Sequence, residues 1–192
     1  MRVEDYEYNV NKKRVNYLNI KTRRLLLKPY SMEDLEDYYS LMSNPIIWTY
    51  STNIPHENIL QSEQQLKERL ARYGDNCIGF YALFEKSENV YIGEAGILSL
   101  NRIADRCVIG YNLLPDYWGK GYATEIAKSL IEYAFDEMQV ERVEDLAQKS
   151  NIASCKVLEK SGMYLDGLLR HFAKIRGKYE DICYYSIITS DR

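Results

Sequence analysis

Apolar residues in the first part of the chain show a strand pattern first and then recur at helical spacing. Leu25 and Leu27 would point to the same face of Thr22–Lys28, which predicts a strand. Helical spacing follows after Ser31, which is suited to cap a helix, and again after Pro55, which is suited to open one. Gly74 provides a left-handed end for the second helix. The pattern therefore predicts one strand followed by two helices.

Beyond Gly74 the chain alternates between strand-like and helix-like segments. β-branched, aromatic and leucine residues form runs that end at turn residues or at Pro115, which cannot donate to a sheet ladder. Gly162 ends a short helix, and Gly177 separates the last two strands. The predicted strands are 77–85, 90–100, 107–114, 142–147, 164–175 and 179–189, and the predicted helices are 122–138 and 151–160. The order β-αα-βββ-α-β-α-ββ predicts an α/β fold with a mixed sheet.

The length of the chain fits one domain. It has 192 residues, of which 46% are apolar, and this is enough to build a sizeable core. Residues 1–20 show no clear periodicity, so we expect them to be an appended segment before a single domain over 21–192.

Composition and charge argue against several classes of function. The formal net charge of −3 does not suggest the basic face of a nucleic-acid-binding protein. The amino terminus lacks the apolar region of a signal peptide, and no apolar run approaches the roughly 18 residues of a membrane span. The 4 cysteines are scattered without a C-x-x-C pair. We therefore expect a cytoplasmic protein with reduced thiols and no metal site.

A glycine-containing turn links the third strand of the central run to the long helix. The segment Pro115–Thr124 places Gly119 and Gly121 directly before the helix, so that its backbone amides crowd together at the helix amino terminus. This arrangement favours anions, and a pyrophosphate in particular, with Lys120 available to add positive charge. A turn with a purely structural role remains the alternative.

Two other phosphate-binding motifs do not fit this turn. A dinucleotide fingerprint requires a third Gly or Ala where Thr124 stands, and it lies in an early βαβ unit. A Walker A loop requires Lys and then Ser or Thr after its last glycine, whereas Tyr122 follows Gly121. Dinucleotide and nucleoside triphosphate sites are therefore disfavoured.

Two motifs resemble a known family. Residues 115–125, PDYWGKGYATE, resemble motif A of the GNAT superfamily of N-acetyltransferases, [QR]-x-x-G-x-[GA], with Trp118, Gly121 and Ala123 at the motif positions. Trp118 departs from the usual Gln or Arg. Residues 151–154, NIAS, and 157–163, VLEKSGM, are similar to the branch that acetylates the amino termini of ribosomal proteins. The resemblance covers all but about the first twenty residues.

The resemblance implies a fold and a cosubstrate. The fold is GNAT-like, with a mixed, mostly antiparallel central sheet flanked by helices and a splayed strand pair that receives the pantetheine arm of acetyl-CoA. Tyr111, Asn112 and Leu113 would face the thioester and the pantetheine. The implied pyrophosphate contacts are Gly119, Lys120, Gly121, Tyr122, Ala123 and Thr124. Asn151 and Ser154 would lie beside the pantetheine and the sulfur atom.

Catalytic roles follow less directly. Ser154 is the candidate acid for the thiolate, although Asn and Ser also favour the start of a helix for structural reasons. A backbone amide near Leu113 is the candidate donor to the carbonyl oxygen. Val108 and Ala173 occupy positions at which similar enzymes carry a glutamate that is a candidate general base. The remaining candidate bases are Glu94, Glu144 and His171, for each of which a surface or ion-paired role is the alternative.

The apparent lack of a dedicated base bears on the acceptor. An α-amine with a pKa of about 8 costs roughly 1.4 kcal/mol to deprotonate at pH 7, whereas lysine costs roughly 4.6 kcal/mol. The sequence therefore favours an acetyltransferase for protein amino termini, acting as a monomer or homodimer. Small amines such as polyamines or aminoglycosides, a non-catalytic acyl-CoA sensor, and a pure interaction domain remain as alternatives.

Overall fold

The computed structural model describes residues 17–73 and 78–192, and within these ranges the chain forms eight strands and four α-helices. The strands are β1 Ile20–Lys21, β2 Leu25–Lys28, β3 Gly79–Glu85, β4 Val90–Asn101, β5 Arg106–Leu113, β6 Arg142–Gln148, β7 Tyr164–Ile175 and β8 Lys178–Ile188. The helices are α1 Leu35–Met42, α2 Ile59–Arg72, α3 Tyr122–Asp136 and α4 Ile152–Lys160. The predicted element order is confirmed. The predicted helix end at Gly74 and the strand start at Cys77 lie outside the described residues.

The strands form one open, mostly antiparallel sheet in the order β1-β2-β3-β4-β5-β6-β8-β7. The predicted mixed sheet is therefore confirmed, because β5 and β6 pair in parallel while the neighbours on either side are antiparallel.

The first two helices begin at side-chain caps. The Ser31 hydroxyl accepts the Glu33 N–H, and the Asp34 carboxylate accepts the Ser31 N–H at 2.7 Å, which forms a capping box before α1 and confirms the predicted cap at Ser31. The predicted start of the second helix at Pro55 is wrong. Asn58 sets the start of α2, because its side-chain oxygen accepts the first free N–H groups of that helix.

The predicted boundary after residue 20 falls inside the fold. Leu18 is fully buried in the main core, and Ile20 pairs with Leu27 in the sheet. A strand of two residues is too short to show an alternation, which is why periodicity did not reveal it. Residues 1–16 lie outside the described part of the chain.

Two apolar clusters cover opposite faces of the sheet. The larger cluster lies under α3 and α4 and includes Ile109, Leu130 and Val143. The smaller lies under α1 and α2 and includes Tyr38 and Leu66. No helix within the described ranges is long and apolar enough to cross a bilayer.

The parallel pair β5 and β6 separates soon after it forms. The described ladder joins residues 106–108 to residues 142–144, and β5 then continues to Leu113 beside β4 alone. Because the two strands are parallel, their carboxyl ends diverge on the same side. We call this opening the splay, and it confirms the splayed strand pair expected from the resemblance.

Candidate active site

The glycine turn has the backbone geometry that its sequence predicts. Gly119 and Gly121 have φ values of +72° and +81°, in the left-handed region that residues with a Cβ atom rarely adopt. Trp118 follows the carboxyl end of β5, and its indole N–H donates to the Leu113 carbonyl at 2.7 Å. The turn is thus tied to the strand at the mouth of the splay.

The backbone N–H groups of residues 119 to 124 have no hydrogen-bond acceptor in the part of the chain that the structure describes. The first N–H of α3 to find a helical partner is that of Glu125, which donates to the Gly121 carbonyl at 3.1 Å. No side chain caps this helix. Free N–H groups at a helix amino terminus, together with the helix dipole, form a site for an anion such as a pyrophosphate.

The wall of the splay on β5 presents main-chain groups. The Leu114 N–H donates to the Ile92 carbonyl at 2.9 Å, which fixes the hydrogen-bonding phase between β4 and β5. Alternate residues of an antiparallel strand turn their N–H and C=O groups the other way. Tyr111 and Leu113 therefore turn theirs toward the splay, while Asn112 turns its groups toward β4.

Side chains from β5 and α4 meet beside this wall. The Tyr111 hydroxyl lies 3.2 Å from the Ser154 hydroxyl. Asn151 caps α4, since its side-chain oxygen accepts the Ser154 N–H at 3.2 Å. Burial raises the pKa of Tyr111, so its phenol remains protonated near neutral pH. The structure thus brings Ser154 and Asn151 to the splay; their catalytic and binding roles stay predictions.

Glu94 lies in a buried polar network on the opposite face of the sheet. Its carboxylate accepts hydrogen bonds from Arg69 at 2.5 Å, from Asn112 at 2.9 Å and from Tyr30 at 3.3 Å. Asn112, expected to contact the cofactor, thus directs its side chain to this network. The carboxylate is thus engaged in an ion pair with Arg69, and a catalytic role for Glu94 stays a prediction.

Glu144 is similarly engaged. Burial alone would raise the pKa of this carboxyl, but hydrogen bonds from Arg142, Tyr184 and Arg106 hold the pKa below its usual value. Arg106 and Arg142 both contact it, at 2.8 Å and 2.7 Å. The geometry therefore fits a structural ion pair better than a base, and the catalytic assignment stays a prediction.

His171 lies at a different place. It borders a cleft of about 460 Å³ that is also lined by Lys149 and Asp181. Its ring stacks on Tyr179 with centroids 5.7 Å apart, and its backbone N–H donates to the Asp181 carboxylate at 3.0 Å. These contacts hold the imidazole on the β7–β8 hairpin.

Comparison with known proteins decides the family. Residues 24–164 match the family model described as "Acetyltransferase (GNAT) domain". The chain belongs to this GNAT acetyltransferase family. It is an acetyl-CoA-dependent N-acetyltransferase by membership, and the fold and the turn described above agree with that assignment.

Individual relatives of this GNAT protein differ in the acceptors that their names give. The chain is 26% identical over 167 residues to "Uncharacterized N-acetyltransferase p20" of Bacillus licheniformis, covering 87% of this chain and 94% of that protein. A ribosomal-protein-S5-alanine acetyltransferase from Vibrio fischeri superposes with a TM-score of 0.79 at 20% identity, over 91% of this chain and 98% of that one. A spermidine N-acetyltransferase from Vibrio cholerae, in complex with CoA and spermine, superposes with a TM-score of 0.77 at 20% identity. The match covers 88% of this chain and 98% of that one. At these identities the solved structures support the fold alone.

Sequence reasoning missed an ion pair that supports the GNAT turn. The Glu125 carboxylate accepts the Arg24 backbone N–H at 2.9 Å, the Arg24 Nε–H at 2.7 Å and the Thr22 hydroxyl at 2.5 Å. The same guanidinium donates to the Lys120 carbonyl at 2.9 Å and lies over the Tyr122 ring, 4.4 Å from its centroid. Arg24 thus fastens the turn to β2, and it brings a cation beside the free N–H groups.

The Lys120 ammonium does not close over the free N–H groups. It lies 5.2 Å from the centroid of the Tyr117 ring, in a cation–π contact. Lys120 and Tyr122 thus contribute the carbonyl and the ring that hold Arg24, a role that the motif spacing alone does not reveal.

Asp145 is a second functional candidate that sequence reasoning missed. It is half-buried, and its described hydrogen bond is from the Leu146 N–H, 2.7 Å away. Burial raises the pKa of Asp145 to about 8, and the Leu146 N–H only partly opposes that rise. An acidic residue in a seven-residue strand gives no local signal of this, because its burial depends on where β5 and β6 part.

A buried acceptor without a partner lies farther along β6. The Gln148 side-chain oxygen is enclosed and has no hydrogen-bond partner among the described residues. Unpaired buried acceptors are rare and call for an explanation. Gln148 is the last residue of β6.

Proposed function

We propose that this chain transfers the acetyl group of acetyl-CoA to the α-amine of a protein amino terminus. The observation that carries the cosubstrate site is the row of free N–H groups over residues 119 to 124 at the mouth of the splay. A pyrophosphate placed there receives hydrogen bonds from the backbone and positive charge from Arg24.

The pantetheine arm then runs inward along the splay. The main-chain groups of Tyr111 and Leu113 face it from β5, and the unpaired oxygen of Gln148 suits one of its amide N–H groups. Asn151 is half-buried at the start of α4 and keeps its side-chain NH₂ available, since its oxygen is the atom that caps the helix. These groups orient the thioester toward the narrow end of the splay.

The reaction is direct attack of an amine on the thioester carbon. A backbone N–H of β5 that faces the splay stabilises the negative charge that develops on the carbonyl oxygen, because it is already oriented before the reaction begins. Ser154, hydrogen-bonded to the Tyr111 hydroxyl, donates a hydrogen bond that stabilises the negative charge on the departing sulfur. The Tyr111 phenol holds the serine in place.

The state of the carboxylates supports an α-amine as the acceptor. Glu94 and Glu144 are both held by arginines, so neither is well suited to remove a proton from lysine. An α-amine requires roughly 1.4 kcal/mol for its own deprotonation at pH 7, which needs no strong base.

The surface around the acceptor side also suits a peptide. The Arg176 guanidinium, at the tip of the β7–β8 hairpin, donates to the Trp48 carbonyl at 3.2 Å and so joins the hairpin to the loop between α1 and α2. That loop exposes Ile46, Tyr50 and Ile54. Exposed apolar side chains favour contact with a peptide.

The relatives support transfer to an amine without deciding between acceptors. One solved neighbour is named for the alanine of ribosomal protein S5, and another for spermidine. The choice of an α-amine therefore rests on the chemistry of this chain, and spermidine is the natural competitor in any assay.

The cosubstrate site is tested by two matched glycine substitutions. Gly121→Glu places a carboxylate beside the proposed pyrophosphate, and calorimetry should show no binding of acetyl-CoA. Gly177→Glu is the control, because Gly177 has nearly the same φ of +83° and lies on the distant hairpin. Equal affinities in the two folded variants would contradict the site.

The acceptor is tested with a pair of peptides that differ at one atom group. One peptide carries a free α-amine and one internal lysine, and the other is the same peptide with its α-amine already acetylated. We expect acetyl-CoA-dependent thiol release with the first peptide and none with the second. Release that persists with the blocked peptide, or that is faster with spermidine, would overturn the α-amine assignment while leaving the acetyltransferase intact.

A further inference from the structure

The position of Asp145 follows from the hydrogen-bonding phase of β6. The Lys149 N–H donates to the Asp181 carbonyl at 2.9 Å, and the Thr189 N–H donates to the Glu141 carbonyl at 3.1 Å. Odd-numbered residues of β6 therefore exchange main-chain hydrogen bonds with β8. Leu146 turns its N–H and C=O groups the other way, toward β5 and the splay.

Leu146 also lies just past the end of the parallel ladder. The last described pair joins Val108 to Glu144, so no residue of β5 is registered opposite Leu146. Its N–H instead donates to the Asp145 carboxylate at 2.7 Å. Because that N–H points into the splay, the carboxyl group of Asp145 must lie there too, at the narrow end.

The side chains of the same face surround this carboxyl. Asp145 pairs with Tyr185 on β8. Tyr111 is close enough for the charge of Asp145 to raise the pKa of the Tyr111 phenol. The thiols on this face are those of Cys107 on β5, Cys155 on α4 and Cys183 on β8. None of these groups is a cation, so nothing among them neutralises an ionised Asp145.

We propose that Asp145 is a catalytic residue that donates a proton to the sulfur of CoA as it departs. The inference rests on the proposed path of the pantetheine arm, which enters at the glycine turn and leads the thioester toward the narrow end. There the carbon–sulfur bond breaks, and the sulfur takes the proton of the Asp145 carboxylic acid. The carboxylate then regains, through water, the proton that the attacking amine loses.

The environment of Asp145 supports this role. With a pKa of about 8, the carboxyl group is mostly protonated at neutral pH, whereas an exposed aspartate is ionised. A protonated carboxyl group held by a neutral backbone donor is able to deliver its proton to a thiolate. Ser154 on α4 hydrogen-bonds to the Tyr111 hydroxyl and orients the departing sulfur, whereas the single proton that the thiolate takes up comes from Asp145.

Proximity is tested without reference to the acceptor. In the Asp145→Cys variant, CoA disulfide should form a mixed disulfide with the new thiol, detected as a mass increase in the intact protein. The unchanged protein and Asp136→Cys, an exposed site, are the controls. Absence of the adduct in a variant that still binds CoA would overturn the placement of Asp145 beside the sulfur, with the cosubstrate site intact. If the unchanged protein does not bind CoA, the proposed function fails as well.

The catalytic role is tested with Asp145→Asn, which keeps an oxygen to accept the Leu146 N–H. Thiol release with the free-amine peptide should fall about 100-fold, with acetyl-CoA affinity within about threefold of the original. The unchanged enzyme should lose rate as the pH rises through about 8, because the protonated carboxyl is the active form. This decrease in rate should be absent from the pH–rate profile of the variant. Asp136→Asn should keep the decrease. A variant with the original rate and pH profile would overturn the proposal.

Discussion

The pair of Arg24 and Glu125 offers a quantitative test of how the turn is held. We consider the substitutions Arg24→Met, Glu125→Gln and their combination. Glutamine keeps an oxygen for the Thr22 hydroxyl and the Arg24 backbone N–H, so the main loss is the charged contact at 2.7 Å. A hydrogen bond to a charged group contributes about 1.5–3 kcal/mol when it is shielded from solvent.

Solvent reduces this figure. The Arg24 side chain is 38% exposed and that of Glu125 is 19% exposed, so screening leaves a coupling of about 1 kcal/mol. If all of it were expressed in cosubstrate binding, the dissociation constant of acetyl-CoA would rise about fivefold. The double-mutant cycle isolates this coupling from the separate effect of removing a cation near the pyrophosphate.

Urea unfolding of the four proteins measures the coupling in stability, and calorimetry with acetyl-CoA measures it in binding. Arg192 and Asp136 form a matched control, since their atoms are also 2.7 Å apart while the side chains are 43% and 56% exposed. We expect no measurable coupling there. Equal coupling energies for the two pairs, or none for Arg24 and Glu125, would refute the idea that partial burial makes this contact effective.

Three further predictions concern stability and rate. Gly96→Ala should lower the free energy of unfolding by about 3 kcal/mol, because the added Cβ would lie 1.9 Å from the Gly79 carbonyl oxygen; Gly167→Ala, with nothing within 4 Å, should change little in the same urea titration. Ser154→Ala should lower kcat about tenfold to 100-fold with a nearly constant KM for acetyl-CoA, and an unchanged kcat in a thiol-release assay would remove the serine from the mechanism. The lowered pKa of Glu144 contributes stability above pH 4.5 that is lost as the pH falls through the folded-state pKa, so melting curves from pH 7 to pH 3 should fall more steeply for the unchanged protein than for Glu144→Gln. Parallel curves would contradict the last prediction.

The parts of the site that sequence predicted are those encoded by neighbouring residues. Gly119 and Gly121 are required by positive φ values within a few positions of each other, and strand-to-helix patterning shows which termini they join. Ser31 similarly predicts its helix start because its cap is local. The splay was expected only through resemblance to the GNAT family, since no periodicity reveals where two strands part.

The parts that sequence did not predict depend on long-range contacts. Arg24 and Glu125 are 101 positions apart, and neither lies in a pattern that points to the other. Glu94 was a candidate base with a surface or ion-paired role as the alternative, and its partner Arg69 lies on a different element. Asp145 resembles a surface residue of a short strand, and only its place past the end of the parallel ladder gives it a raised pKa.

The short ladder between β5 and β6 also has a mechanical consequence. On one side of it, antiparallel ladders join β1 to β5; on the other, they join β6, β8 and β7. The described seam between these two leaves is confined to residues 106–108 and 142–144. We expect the leaves to exchange amide hydrogens as separate cooperative units when the splay is empty. A pantetheine arm that bonds to both edges would fasten them together, so that the cosubstrate helps to hold closed the sheet in which it reacts.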